Sequence, residues 1–208
     1  MTPIVDREND YEYFMSRVLY LAGWLYVLIA AAMLGLRPQT TGPALSYTTG
    51  APPPAGSAAA WFAAVKPNCN PLEVELRLES SPAPRSRDGA GFAAACWAVA
   101  GKIDRARATI DELPASDRYH AAGIVFEIGH PIADMGDDLS AGPIMELVVE
   151  YQPENYMALY HAGMAYYATG RNDLARKHLT EFLRLYDVAD GWRSNAREVL
   201  RRLDGGDR

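Results

Sequence analysis

Asn155–Tyr186 reads NYMALYHAGMAYYATGRNDLARKHLTEFLRLY. Within it Leu159, Ala162, Gly163 and Tyr166 recur at intervals of three and four, the period of one helix face. Gly170 then supplies a residue that tolerates positive φ and opens a turn. Ala175 and Leu179 resume the helical period on a second segment. The small Gly163 and Ala175 let two antiparallel helices approach closely, and Tyr166 fills the space beside them. This stretch predicts a helical hairpin.

The pattern recurs upstream. Val125, Ile128, Gly129 and Ile132 hold the equivalent positions, followed by Gly136, Ala141, Met145 and Pro153. Gly129 to Gly163, Gly136 to Gly170 and Ala141 to Ala175 are each 34 residues apart, too regular for coincidence. A weaker copy precedes it, with Ala93, Ala94 and Trp97, then Gly101, Ala106 and Ile110, and Pro114 as a stop. Ala106 to Ala141 is 35 residues, so one residue is inserted.

The positions of Leu159, Ala162, Gly163 and Tyr166 resemble the W-x2-L-G-x2-Y signature of the tetratricopeptide repeat, and Ala175 and Leu179 its A-x3-F element. The resemblance covers about residues 88–203, with repeats over 88–189. It implies an all-α superhelical scaffold that binds other proteins through its concave face, without enzymatic activity. On that resemblance the exposed positions of each first helix line a groove. They are Phe126, His130 and Asp134 in one repeat, and Tyr160, Met164 and Tyr167 in the next. An aromatic, Met-containing surface suits an apolar helix or extended segment of a partner. Packing between adjacent repeats, or under a capping helix, is the competing reading of the same side chains.

The flanks complete the array. Gly191–Leu203, within a C-terminal cap and tail over 190–208, predicts a polar helix with Arg193, Arg197, Arg201 and Arg202 in water. A degenerate first helical pair is expected over 58–87, starting with Ala58–Val65. Asn70 and Pro71 form a good N-cap and first-turn pair, with Glu73 three residues after Asn70. Leu72, Val74, Leu76 and Leu78 alternate with charges, which is a strand signal. Helix is the preferred reading, because a single strand has no partner in an array of helices.

Val18–Leu36, VLYLAGWLYVLIAAAMLGL, holds 19 residues without a charge. As a helix it spans about 28 Å, close to the hydrocarbon core of a bilayer. Arg17 and Arg37 bracket it. A cleaved signal peptide, using the small residues Ala30–Ala32, and a buried soluble helix are the rival readings. Asp6, Glu8, Asp10 and Glu12 oppose the first rival, since a signal peptide starts short and positive. Arg7 and Arg17 precede the segment and Arg37 alone follows closely, which places residues 1–17 in the cytoplasm and the C-terminal domain outside, in a periplasm-like compartment. The stretch 37–57 is a tether, since Pro and Gly supply 8 of its 21 residues.

Acidic residues outnumber basic ones 26 to 20, so the chain has no general affinity for nucleic acid. Charge is sided: no Lys or Arg lies between Arg118 and Arg171, where seven carboxylates stand. Cys69 and Cys96 are separated by 27 positions and would pair if neighbouring helices bring them together outside the cytoplasm; buried free thiols are the alternative. The four histidines, His120, His130, His161 and His178, show no metal-ligand spacing, although His130 and His161 could face one groove. His130–Asp138, HPIADMGDD, does not match a calcium loop. With no nucleophile elbow and no glycine-rich phosphate loop, neither a metal nor another cofactor is expected. The expectation is therefore a membrane-anchored scaffold, bound to the bilayer through 18–36 and to subunits of a membrane protein complex.

Overall fold

The computed structural model describes residues 55–205. The helix expected over 18–36 and the tether up to residue 54 lie outside them. Among the described residues the chain is helical and has no strand. None of these helices is long and apolar enough to cross a membrane.

The helices are α1 (Ala58–Val65), α2 (Val74–Ser80), α3 (Arg87–Val99), α4 (Ile103–Asp111), α5 (Ala115–Asp134), α6 (Asp138–Tyr151), α7 (Tyr156–Ala168), α8 (Asn172–Leu185) and α9 (Gly191–Gly205). Consecutive partners pack as hairpins: α3 on α4, α5 on α6, α7 on α8. The hairpins join through α3 on α5 and α6 on α7, and α9 covers α8 and α7.

Each hairpin turns by the same device. Gly101, Gly136 and Gly170 have φ of 74°, 87° and 72°, where a Cβ is strained. The amide of each glycine donates three residues back, to Ala98, Ala133 and Tyr167. The next amide donates five residues back, from Lys102 to Trp97, Asp137 to Ile132 and Arg171 to Tyr166. This pair of bonds is the Schellman cap, which satisfies carbonyls that a helix end would leave bare. Side chains start the helices in turn: Asp137 accepts from the Ser140 amide at 3.0 Å, and Asn155 from the Ala158 amide at 3.0 Å.

Close approach needs small residues. A Cβ on Gly163 would stand 2.8 Å from Leu179 Cδ2, and one on Gly142 would overlap the Ala165 Cβ. The apolar interior forms two clusters. One gathers Val65, Val74, Ile110, Val125, Met145 and Val148; the other gathers Leu159, Tyr160, Leu179, Phe182, Val199 and Leu203.

Leu72–Leu78 is not a strand. The segment turns after Asn70 and is helical from Val74, later than a cap at Asn70 implies. The Asn70 side chain still accepts from the amides of Leu72 and Glu73, each at 3.1 Å, while Glu73 reaches back to the Asn70 side-chain amide at 2.6 Å. The Sγ atoms of Cys69 and Cys96 are bonded, at 1.99 Å, fastening this segment to α3.

The C-terminal helix is amphipathic rather than polar throughout. Ala196, Val199 and Leu203 are buried on one face. Of its arginines, Arg193 turns inward, donating to the carbonyls of Leu183 and Tyr186. Arg201 and Arg202 are exposed and grip Glu198, which lies one helical turn back.

Candidate functional site

Phe126, His130 and Asp134 follow one another at four-residue spacing along the last turns of α5, so they share one face. The Phe126 and His130 rings stack at 4.7 Å. His161, on α7, meets His130 edge-on at 5.1 Å. Tyr160 and Trp192 continue the contact: the His161–Tyr160, Tyr160–Trp192 and His161–Trp192 centroids lie 5.2, 5.0 and 5.5 Å apart. Three elements, α5, α7 and α9, therefore enclose one imidazole pair.

The His161 side chain is 2% exposed. Its Nδ1 lies 2.9 Å from Asp138 Oδ1, in the first turn of α6. Asp138 is a carboxylate acceptor, so Nδ1 carries a proton, and the tautomer selected for the neutral ring has its lone pair on Nε2. That Nε2 is buried without a hydrogen-bond partner, and so is His130 Nε2. Asp134 Oδ1 sits between them, 3.5 Å from His130 Nε2 and 3.7 Å from His161 Nε2, too far for either to be hydrogen-bonded. All three ligand-type atoms fall within 4.8 Å of one another. Burial pushes the His130 imidazole below its usual range; Asp134 opposes this and His161 adds to it.

The six groove residues are thus not equivalent. Asp134 is exposed, and Phe126, His130, Met164 and Tyr167 are half-buried. Tyr160 is 4% exposed and belongs to the core, which corrects its placement on an open surface. It packs edge-on to Phe182 at 5.1 Å, and α9 lies over it. Sequence reasoning allowed His130 and His161 to face one groove, but it did not bring Asp134 to that pair, and it gave no part to Asp138, Trp192 or Asn195. The His130–Asp134 spacing was a readable signal for one shared face. No spacing links them to His161, 31 positions beyond His130 on another helix.

A separate cleft of about 360 Å³ is lined by Arg107, Glu146, Tyr166 and Arg171 among others. Its charges are already engaged. Arg107 holds Glu150 in a two-pronged pair at 2.7 and 2.8 Å. Arg171 lies over the Tyr166 ring at 4.1 Å, and Glu146 faces His178 Nε2 at 3.2 Å. The imidazole pair, with its orphaned nitrogens, is the better candidate for chemistry. No protein-family model, curated protein or solved structure matches the chain.

Proposed function

We propose that the chain is a membrane-anchored, tetratricopeptide-like scaffold that holds or assembles a larger membrane protein complex on the extracytoplasmic side. The observation that carries this reading is the three-fold recurrence of one hairpin, each closed by the same glycine cap at Gly101, Gly136 and Gly170. Such units stack to present a continuous binding surface, and they do so without a catalytic centre. Val18–Leu36 supplies the anchor and residues 37–57 the tether. The Cys69–Cys96 bond suits an oxidising compartment, in keeping with the arginine bias around the anchor.

Docking falls to the half-buried Phe126, Met164 and Tyr167 and the exposed Asp134, at the edge of a stretch that carries no Lys or Arg from 119 to 170. A partner segment with apolar anchors and a basic flank fits that combination. The test is extraction of the full-length chain from its native membrane in mild detergent, followed by quantitative mass analysis. Partners that co-purify, and that are lost from Phe126→Glu and Met164→Glu chains of unchanged helicity, support the scaffold. Partners that stay in fixed stoichiometry in both variants point instead to a permanent structural subunit of a respiratory or photosynthetic complex. Turnover by the co-purified assembly that requires this chain points to an accessory subunit of an envelope enzyme.

A further inference from the structure

We infer that His130, Asp134 and His161 form a binding site for a divalent transition-metal ion of the zinc class. Asp138 fixes His161 as the tautomer with its lone pair on Nε2, and that lone pair faces a carboxylate oxygen and a second imidazole. Three converging electron-rich atoms, the two imidazole nitrogens among them buried, repel one another unless a cation lies among them. Zinc arms of about 2.0–2.1 Å place ligand atoms about 3.3–3.4 Å apart on a tetrahedron. The observed His130–Asp134 and Asp134–His161 separations of 3.5 and 3.7 Å need only a small contraction, while the two imidazole nitrogens, within 4.8 Å of each other, must draw closer around the ion.

The surroundings have the form that metal sites use. A ligating imidazole commonly donates its far N–H to a carboxylate, which orients the ring and raises its basicity; Asp138 does this for His161. Two nitrogen donors with one oxygen favour zinc or a neighbouring transition ion over calcium or magnesium, which demand mostly oxygen. Three protein ligands leave a fourth position for water or for a donor from a docked partner. The ligands come from α5 and α7, so the ion would clamp successive hairpins together beneath the proposed docking edge.

The test is titration of the full-length chain in detergent micelles, stripped of metal, with ZnCl2 by calorimetry and with CoCl2 by visible absorption. The expected result is one equivalent of Zn2+ and an intense tetrahedral Co2+ spectrum that Zn2+ displaces. Asp134→Asn, a change at an exposed position, and His130→Gln are expected to lower Zn2+ affinity by about 100-fold or more, and Asp138→Asn by about 10- to 100-fold. His120→Gln should leave binding unchanged, since His120 sits elsewhere with Asp88. Circular dichroism shows whether each variant keeps its helices, and Asp134→Asn serves if His130→Gln does not. Absence of stoichiometric Zn2+ binding overturns the assignment. So does a Co2+ spectrum of the weak octahedral type, or binding that survives Asp134→Asn and His130→Gln unchanged.

Discussion

Asn195 on α9 donates its side-chain amide to the hydroxyl of Tyr160 on α7 at 2.6 Å. The bond is the polar tip of a buried contact, since the Tyr160 ring rests against Phe182 and Trp192. The C-terminal helix therefore covers α7 through a specific anchor. Tyr160→Phe should keep the ring contacts and lose about 1 kcal/mol with the bond. Tyr160→Glu should bury a charge and unfold the last hairpin. Thermal unfolding followed by circular dichroism checks both, and an unshifted Tyr160→Glu would return this residue to the surface.

The Cys69–Cys96 bond closes a loop with a sequence separation of 27 and joins a segment with little core of its own to α3. Val74 is the only residue buried within α2. Reduction, or Cys96→Ala, should lower stability by about 3 kcal/mol through the freed chain entropy. Loss should concentrate in the first helical pair, visible as faster hydrogen exchange over 58–80 while α5 to α8 keep their protection. Equal stability with and without reductant would mean that packing alone holds the segment.

These two cases show where sequence reading succeeds and where it stops. The hairpins and their turns were legible because a glycine at positive φ and a three-four apolar period are local properties, as at Gly170 and along Leu159–Tyr166. Tyr160 was misplaced because a period reveals a helix face but not how many neighbours cover that helix. Four neighbours, α5, α6, α8 and α9, pack on α7, so eight of its residues, Ala158 to Gly163 with Ala165 and Tyr166, are buried and no face is left open in that stretch. Arg193 was misplaced for a related reason, since the carbonyls it caps belong to the end of another helix. The approach of His161 to His130 is likewise a product of tertiary contact.

Gly142 tests how tightly α6 and α7 depend on small residues. An added Cβ would overlap the Ala165 Cβ, and neither methyl can rotate away. Gly142→Ala should cost about 1–3 kcal/mol of overpacking, against about 1 kcal/mol gained from helix propensity. Pro143 immediately after it adds to the loss, because a residue before proline resists the helical conformation once it has a Cβ. Ala165→Gly combined with Gly142→Ala should cost less than the two changes summed, since the overlap is then gone. Strict additivity in chemical denaturation would place the cost in the backbone at Gly142 instead of in the contact.

Acid should weaken the fold partly through Glu146. Burial favours its neutral form, but the His178 contact outweighs this, with help from Tyr166 and Lys177, and holds the carboxyl below its ordinary 4.5. A carboxyl lowered in the folded state stabilises at pH above its unfolded value, and that stability is lost as pH falls from about 4.5 through the folded value. Glu198 behaves in the same direction, held at about 2 by Arg201 and Arg202, but its side chain is 37% exposed at the surface and salt should screen it. Glu146→Gln should therefore flatten the acid limb of the stability curve below pH 4.5 in both low and high salt, whereas Glu198→Gln should flatten it at low salt only. Denaturant titrations at matched pH, repeated at two ionic strengths, separate the two. A Glu146→Gln effect that vanishes at high salt would show that the pair with His178 is open to solvent.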